Sequence, residues 1–378
     1  MQNAAQMRER VEIQDLYDES FVRGAEEAKR LAERVARQVY LRHLVHDRRP
    51  YPALLGEEPE ASTGRSAYHF KKRLLDYLID KGDLVARDDG VLEMSAELAQ
   101  TPIADEDTTK LSCEGFVLLA HLPDVVEAVL SGVDGFVAIG QRHGMGAALD
   151  HWVSAMVEIP VRVPGIVMTA RALTQRLERG PCVVLEGGAG VGAVLRHALA
   201  LPRFREAIPN IEQYHFTEIS PILLSMGRNW LRTHAPPELM RRMRFEIHDL
   251  DRTPQQNLPY TQNESVDVII LEFVLYDLMN LHDVLVTFRK MLKPGGILIF
   301  TMAYRQRPSV FFPAEILQST LHSYYRAKLD PPRRIHYGYL TLEEWQLSLR
   351  DAGFVDYHVY PEPERHPELP LGGIVAFK

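Results

Sequence analysis

Cysteine is almost missing. The 378 residues hold two, Cys113 and Cys182, too few for a disulfide framework or a four-cysteine zinc site. Long apolar runs are missing too: the longest are strand-sized, well short of the ~20 residues that cross a bilayer, so no membrane span is expected. The polar, acidic start MQNAAQMRERVEIQDLYDES has no apolar h-region and reads as no secretory signal. The expectation is a soluble, cytoplasmic chain. Positive charge is in deficit, with 43 Lys and Arg against 51 Asp and Glu, which makes a nucleic-acid partner unlikely. The 15 histidines contain no H-E-x-x-H pair, so no metal is expected.

What is present divides into three. The first third reads helical. GAEEAKRLAERVARQVYLRHLVHD places Ala28, Leu31, Val35, Val39 and Leu41 near one helical stripe. A second helix carries Leu74, Leu75, Leu78 and Ile79, and two short strands follow around the turn Asp88–Gly90. Helix plus hairpin is the core of a winged helix. It could bind DNA, with Lys71, Lys72 and Arg73 as its basic cluster, or serve dimerisation, which the acidic chain favours. Residues 1–110 are therefore expected to form a winged-helix dimerisation domain and residues 111–175 connecting helices. From 176 to 378, the runs CVVLE, YHFTE, MRFEIHD, VDVIILE and GILIFTM alternate with helical stretches. That alternation predicts an α/β domain with a parallel sheet covered on both faces. The final runs FVDYHVY and GIVAFK are expected to pair antiparallel.

The chemistry centres on VVLEGGAGVG, Val183 to Gly192. No Lys-Ser or Lys-Thr follows Gly192, so a nucleoside triphosphate is disfavoured. Gly188-Ala189-Gly190-Val191-Gly192-Ala193 does satisfy the dinucleotide pattern G-x-G-x-x-G/A. Glu186, just before the turn, argues against it: a carboxylate there repels a pyrophosphate and attracts a cation. Glu218 ends the second strand, where a carboxylate can accept from both hydroxyls of a ribose. Asp249 ends the third, where it can accept from an adenine amine.

The ordered set LEGGAGVG, FTEIS, HDLD and LKPGGILIF resembles the class I S-adenosylmethionine-dependent methyltransferases over residues 165–378. The whole chain resembles the dimeric small-molecule O-methyltransferases with an N-terminal winged helix. The resemblance implies a Rossmann-like sheet with an antiparallel last strand, S-adenosylmethionine as cofactor, a homodimer and a small acceptor. It implies that Gly188, Gly190 and Gly192 admit the methionine part and that Glu186 balances its charge. Glu218 would hold the ribose, Ile219, Asp249 and Leu250 would border the adenine, and Glu272 and Phe273 would line the cofactor floor.

The family's base is a histidine after the fourth strand. Tyr276 stands in its place here, and Met302 falls where its supporting glutamate would be. Tyr276 could be the base, although the phenol's usual pKa of about 10 would need strong perturbation. Glu272, Asp277, His248 or His282 could replace it, or Tyr276 could only orient an acceptor that needs no strong base. Asp277 could equally cap the helix that follows. Tyr304, Phe311, Phe312, His336, Tyr337 and Tyr339 suggest a largely apolar acceptor pocket. Arg305, Arg307, Arg333 and Arg334 read either as a handle for an acidic group or as solvated loop residues. The expectation is O-methylation without the usual histidine. Alternatives are C- or N-methylation, or a winged-helix regulator that binds the cofactor without catalysis.

Overall fold

A computed structural model describes residues 10–47, 49–60, 62–253, 258–305, 315–362 and 371–378. Phe311, Phe312 and Arg307 lie outside the described residues. Helix α1 (Glu19–Val39) begins where the Asp18 carboxylate accepts from the amides of Ser20 and Phe21, a side-chain cap of free helix-terminal donors. Its stripe of Leu31, Ala32, Val35, Ala36 and Val39 is buried. It packs in one cluster with Leu74, Leu75 and Leu78 of α2 (Ser62–Asp80). The stripe that suggested a dimer thus has a partner within the chain and does not itself call for a second copy. Strands β1 (Leu84–Ala86) and β2 (Leu92–Met94) form the expected antiparallel hairpin. Helices α3 (Gly135–His143) and α4 (Met145–Val157) complete this unit.

The basic cluster on α2 is not a free face. Lys71 donates to the Leu54 carbonyl, Lys72 pairs with Asp76, and Arg73 reaches Glu315 and the Tyr337 carbonyl. Arg73 therefore binds this unit to the second half of the chain.

Helix α5 (Val163–Leu177) packs its buried residues Ile166, Met168 and Leu173 into the core of the sheet domain. It runs through the boundary expected at 175–176, so the sheet domain starts earlier than the strand pattern suggested. The chain's first described residues also dock there: Arg10 donates to the Val359 carbonyl, and the Val11 amide to the Tyr360 hydroxyl.

The strands are β3 (Cys182–Gly187), β4 (Ile211–Glu218), β5 (Met243–Ile247), β6 (Val266–Glu272), β7 (Leu292–Ala303), β8 (Asp356–Tyr360) and β9 (Leu371–Phe377). Helix α6 (Ala193–Ala198) follows β3, and α7 (Pro221–His234) follows β4. Helix α8 (Leu281–Met291) precedes β7, and α9 (Leu342–Asp351) precedes β8. Thr341 and Glu344 close a reciprocal capping box at the start of α9, which satisfies backbone donors left free at a helix start. The sheet order is β5-β4-β3-β6-β7-β9-β8. The first five are parallel and β9 runs antiparallel to both β7 and β8. The order reverses at β3, between β4 and β6, and open α/β sheets bind ligands at the carboxyl ends of strands at such a point. Among the described residues, no helix is long and apolar enough to cross a membrane.

Candidate active site

The glycine turn leaves the carboxyl end of β3. Gly188 has φ 62° and Gly190 φ 55°, backbone that a side chain strains. A Cβ on Gly188 would also meet Val274 at 2.5 Å. Gly192 starts α6 as its N-cap. Hydrogen bonds fix the turn to β4: the Ala189 amide donates to the Thr217 carbonyl, and Thr217 Oγ1 to the Glu186 carbonyl.

Glu218 is buried at the end of β4. Its Oε2 accepts from the Gly190 amide and its Oε1 from the Ser220 amide, both at 2.9 Å. A carboxylate oxygen has two lone-pair sites, so capacity remains for a diol while the backbone fixes the carboxylate. Ile219 follows it and is exposed, apolar surface suited to a base. Asp249 lies past the end of β5, not in it. It caps the turn Leu250–Arg252 by accepting from the Asp251 amide, and Arg252 lies at 3.1 Å. Leu250 is buried below, where its methyl groups would touch a Cβ on Gly187.

Glu186 carries the test of the cofactor. It is fully buried. Oε2 accepts from the Tyr214 hydroxyl at 2.6 Å, and Oε1 has no partner. Burial pushes its carboxyl up to about 8; the Tyr214 bond opposes this, and the charge of Glu272 adds to it. An unpaired buried carboxylate oxygen beside a glycine cradle is costly unless a cation or donor completes it. The ammonium and sulfonium of S-adenosylmethionine supply that charge, and the residues fit the group.

Glu272, at the end of β6, is committed elsewhere. Both its oxygens accept from Nη2 of Arg162, at 2.7 and 2.9 Å. Burial raises the Glu272 carboxyl and Arg162 opposes it. The guanidinium also lies 4.3 Å from the centre of the Phe273 ring. Phe273 itself has φ 51°, unusual for a bulky residue, and its amide donates to Thr301 Oγ1. This turn directs the chain from β6 into a cavity.

That cavity, of about 170 Å³, lies between the helical unit and the sheet domain. Phe116, Trp152, Met156, Phe273, Tyr276, Tyr324 and Tyr339 wall it; Arg162, Asp277, Gln318 and Ser323 are its polar members. The Tyr276 ring packs edge-on against Tyr339 at 4.8 Å and Tyr324 at 6.2 Å. Of the residues weighed as bases, Tyr276 and Asp277 line the cavity; Glu272, His248 and His282 do not. Burial drives the Tyr276 phenol well above its ordinary range, with the Asp277 charge adding to this, the wrong direction for a base. Asp277 does not cap α8, whose N-cap is Asn280. Burial pushes the Asp277 carboxyl up to about 7, opposed by Arg334 and Arg326. His248 is buried, bonded to Thr253, and held down near 4 by burial.

Two of the described arginines, Arg305 and Arg334, are buried and bonded within the protein, whereas Arg333 pairs near the surface. Buried Arg305 makes two bonds to Glu315, at 3.1 and 2.7 Å. Buried Arg334 donates to the carbonyls of Leu278, Tyr276 and Gly338, and Arg333 pairs with Asp330 and Asp351. Glu315 also takes Arg73 and the Tyr324 hydroxyl, so this buried node holds one wall of the cavity. Tyr339 joins that wall, whereas Tyr337 packs edge-on against His69 and Tyr325 outside it. Tyr304 is buried in the sheet core, His336 is exposed, and Met302 is buried on β7. Arg162 was missed by sequence reasoning. A lone arginine within the apolar stretch EIPVRVPGIVM is the available signal, since a charge there needs a buried partner. A larger, open cleft of about 680 Å³ lies by Arg171 and Arg203, away from the glycine turn. These two arginines pair with Asp15 and Glu178.

Residues 185–298 match the family model of the methyltransferase domain. Those residues form a methyltransferase domain, one that uses S-adenosylmethionine. The polyketide synthase-like protein Preu9 of Preussia isomera is 29% identical over 195 residues, covering 50% of this chain and 8% of Preu9. The chain spans less than a tenth of the length of the curated relatives it matches. Among solved structures, the CurJ carbon methyltransferase has a TM-score of 0.70 at 19% identity, covering 100% of this chain and 96% of that one. The citrinin polyketide synthase CMeT domain has a TM-score of 0.66 at 14% identity, covering 97% and 98%. At these identities the two structures establish the shared fold, and it includes the N-terminal helical unit of this methyltransferase.

Proposed function

We propose that the methyltransferase acts on an activated carbon of a small ketide-like acceptor, a carbon acid between two carbonyls, with Asp277 as general base. The observation that carries the reading is Asp277 in the tyrosine-walled cavity, its carboxyl raised to about 7. A base is most effective when its pKa lies near the working pH. The kinship with polyketide synthase segments and with carbon methyltransferase folds supports a carbon acceptor over the oxygen expected from the sequence.

When bound, S-adenosylmethionine supplies an electrophilic methyl group on a sulfonium. Glu186, Gly188, Gly190 and Gly192 would hold its methionine part, and Glu218, Ile219, Asp249 and Leu250 its nucleoside. The Asp277 carboxylate takes the proton from the acceptor carbon, whose electron pair becomes free to form the new carbon–carbon bond. The positive Arg162 guanidinium faces the negative charge that develops on the acceptor's carbonyl oxygen, a use of a preset charge at a reacting centre. Glu272 then serves to position Arg162 and is not the base. Tyr276, with its phenol held neutral, orients the acceptor through one hydrogen bond.

The test offers an acetoacetyl thioester of a short thiol and, separately, an acidic phenol, with labelled S-adenosylmethionine. Label on the carbon between the carbonyls, located by NMR, is the expected result. Methyl transfer only to the phenol oxygen would overturn the carbon reading. Cofactor binding without turnover on either acceptor would favour the regulator.

A further inference from the structure

We propose that His121, Asp124 and His143 form a site for a zinc-class divalent metal ion in the N-terminal helical unit. One ligand atom of each lies within 4.8 Å of the other two. His121 follows the short helix Val117–Ala120, Asp124 ends the turn Leu122–Asp124, and His143 ends α3. The end of α3 thus brings His143 to the local pair His121 and Asp124, which is why histidine spacing alone predicted no metal.

Two observations point to a ligand. The two imidazoles stack with centres 3.7 Å apart and planes at 20°, which holds a ring nitrogen of each close to the same carboxylate. Nε2 of His143 is buried without a hydrogen-bond partner, 3.5 Å from Oδ2 of Asp124. The competing cation is Arg42, which holds Oδ1 of Asp124 at 3.2 Å while bound to Asp105 at 2.7 Å. Oδ2 is left to face the histidines.

Two imidazole nitrogens with one carboxylate oxygen suit zinc and its first-row neighbours, whereas magnesium and calcium prefer all-oxygen sets. Tetrahedral zinc with bonds of 2.0–2.2 Å needs ligand atoms roughly 3.4 Å apart, so modest side-chain rotation closes the site. None of the three residues lines the acceptor cavity. The ion would tie the Leu122–Asp124 turn to the end of α3 and take no part in methyl transfer.

The full chain, stripped with a chelator, is titrated calorimetrically with zinc chloride and spectroscopically with cobalt chloride. One saturable ion per chain, a cobalt visible band of a nitrogen- and oxygen-ligated site, and a raised melting temperature are expected. D124N and H143A should each weaken zinc by roughly tenfold or more, since even outer partners of ligands cost 10–100-fold. S-adenosylhomocysteine affinity should not change in either. Asp124 is exposed, so D124N carries the test if H143A does not fold. Absence of saturable binding, or binding unaltered by these variants, overturns the site.

Discussion

Replacing Asp277 by Asn keeps the volume and removes the charge, and it should produce two opposite effects. Turnover should fall about 10²–10⁴-fold, the range for loss of a general base, while S-adenosylhomocysteine affinity stays within about twofold. In the parent enzyme, kcat/KM should rise tenfold per pH unit up to about 7 and then level, because the carboxyl titrates there; the limb should vanish in D277N. Stability should move the other way. The carboxyl's ordinary value is 3.8 and burial raises it to about 7. Between these values the unfolded chain has lost the proton that the folded chain retains, so stability falls as pH rises across that window and stays low above it. At 1.36 kcal/mol per pH unit the separation corresponds to roughly 4 kcal/mol. Asp277 keeps some contact with the cavity, and screening there leaves about 2 kcal/mol. D277N should therefore melt higher than the parent at pH 8, with the gain shrinking towards pH 4. Calorimetry at the two pH values and steady-state rates across pH 5.5–9 read both effects. A D277N enzyme with near-parental turnover and an unchanged pH profile would refute the assignment of Asp277 as base.

Four further outcomes follow from the same geometry. In E186Q the unpaired oxygen loses its charge, so S-adenosylmethionine affinity should drop by roughly 10-fold. Proton release on binding near pH 7, measured by calorimetry in two buffers, should disappear, because a cation pulls down a carboxyl that stands at about 8. E218A removes a charged acceptor of two hydroxyls, about 1.5–3 kcal/mol, so the dissociation constant for S-adenosylhomocysteine should rise about 10- to 150-fold; unchanged affinity would place the ribose elsewhere. Y276F should lose one hydrogen bond of about 1 kcal/mol, a roughly fivefold effect on kcat, whereas a drop of ~10²–10⁴ would make Tyr276 the base. R73M leaves Glu315 with Arg305 and should cost about 1–3 kcal/mol, seen as a lower melting temperature and a raised KM for the acceptor at unchanged cofactor affinity.

The parts legible in the sequence are those written in short-range signals. The strand–turn–helix at β3 is spelled by an apolar run, an acid and glycines in backbone that other residues strain, within ten consecutive residues. The acids at the strand ends, Glu186, Glu218 and Glu272, were found because open sheets gather ligands at one edge. Role assignment went less far. Glu272 reads the same as Glu218 from its position after a strand, and only the fold shows that one accepts two backbone amides and the other a guanidinium.

What stayed hidden is long-range charge pairing. Arg162 meets Glu272 across 110 residues, and Arg73 meets Glu315 across 242. A charged residue read alone defaults to the surface, because burial without a partner is too costly; the partner's existence reverses that default and is invisible along the chain. The consequence reaches function. Arg73 belongs to a helix that, by sequence, could have been a DNA-reading element, yet its guanidinium ends on the carboxylate that also holds Tyr324 and Arg305. Tyr324 walls the acceptor cavity, and Phe116 and Trp152 of the helical unit wall it from the other side. The N-terminal unit therefore closes the site in cis. The residues proposed for the cofactor all belong to the sheet domain, but the chemistry proposed at Asp277 would take place in a cavity that the sheet domain alone leaves open to water.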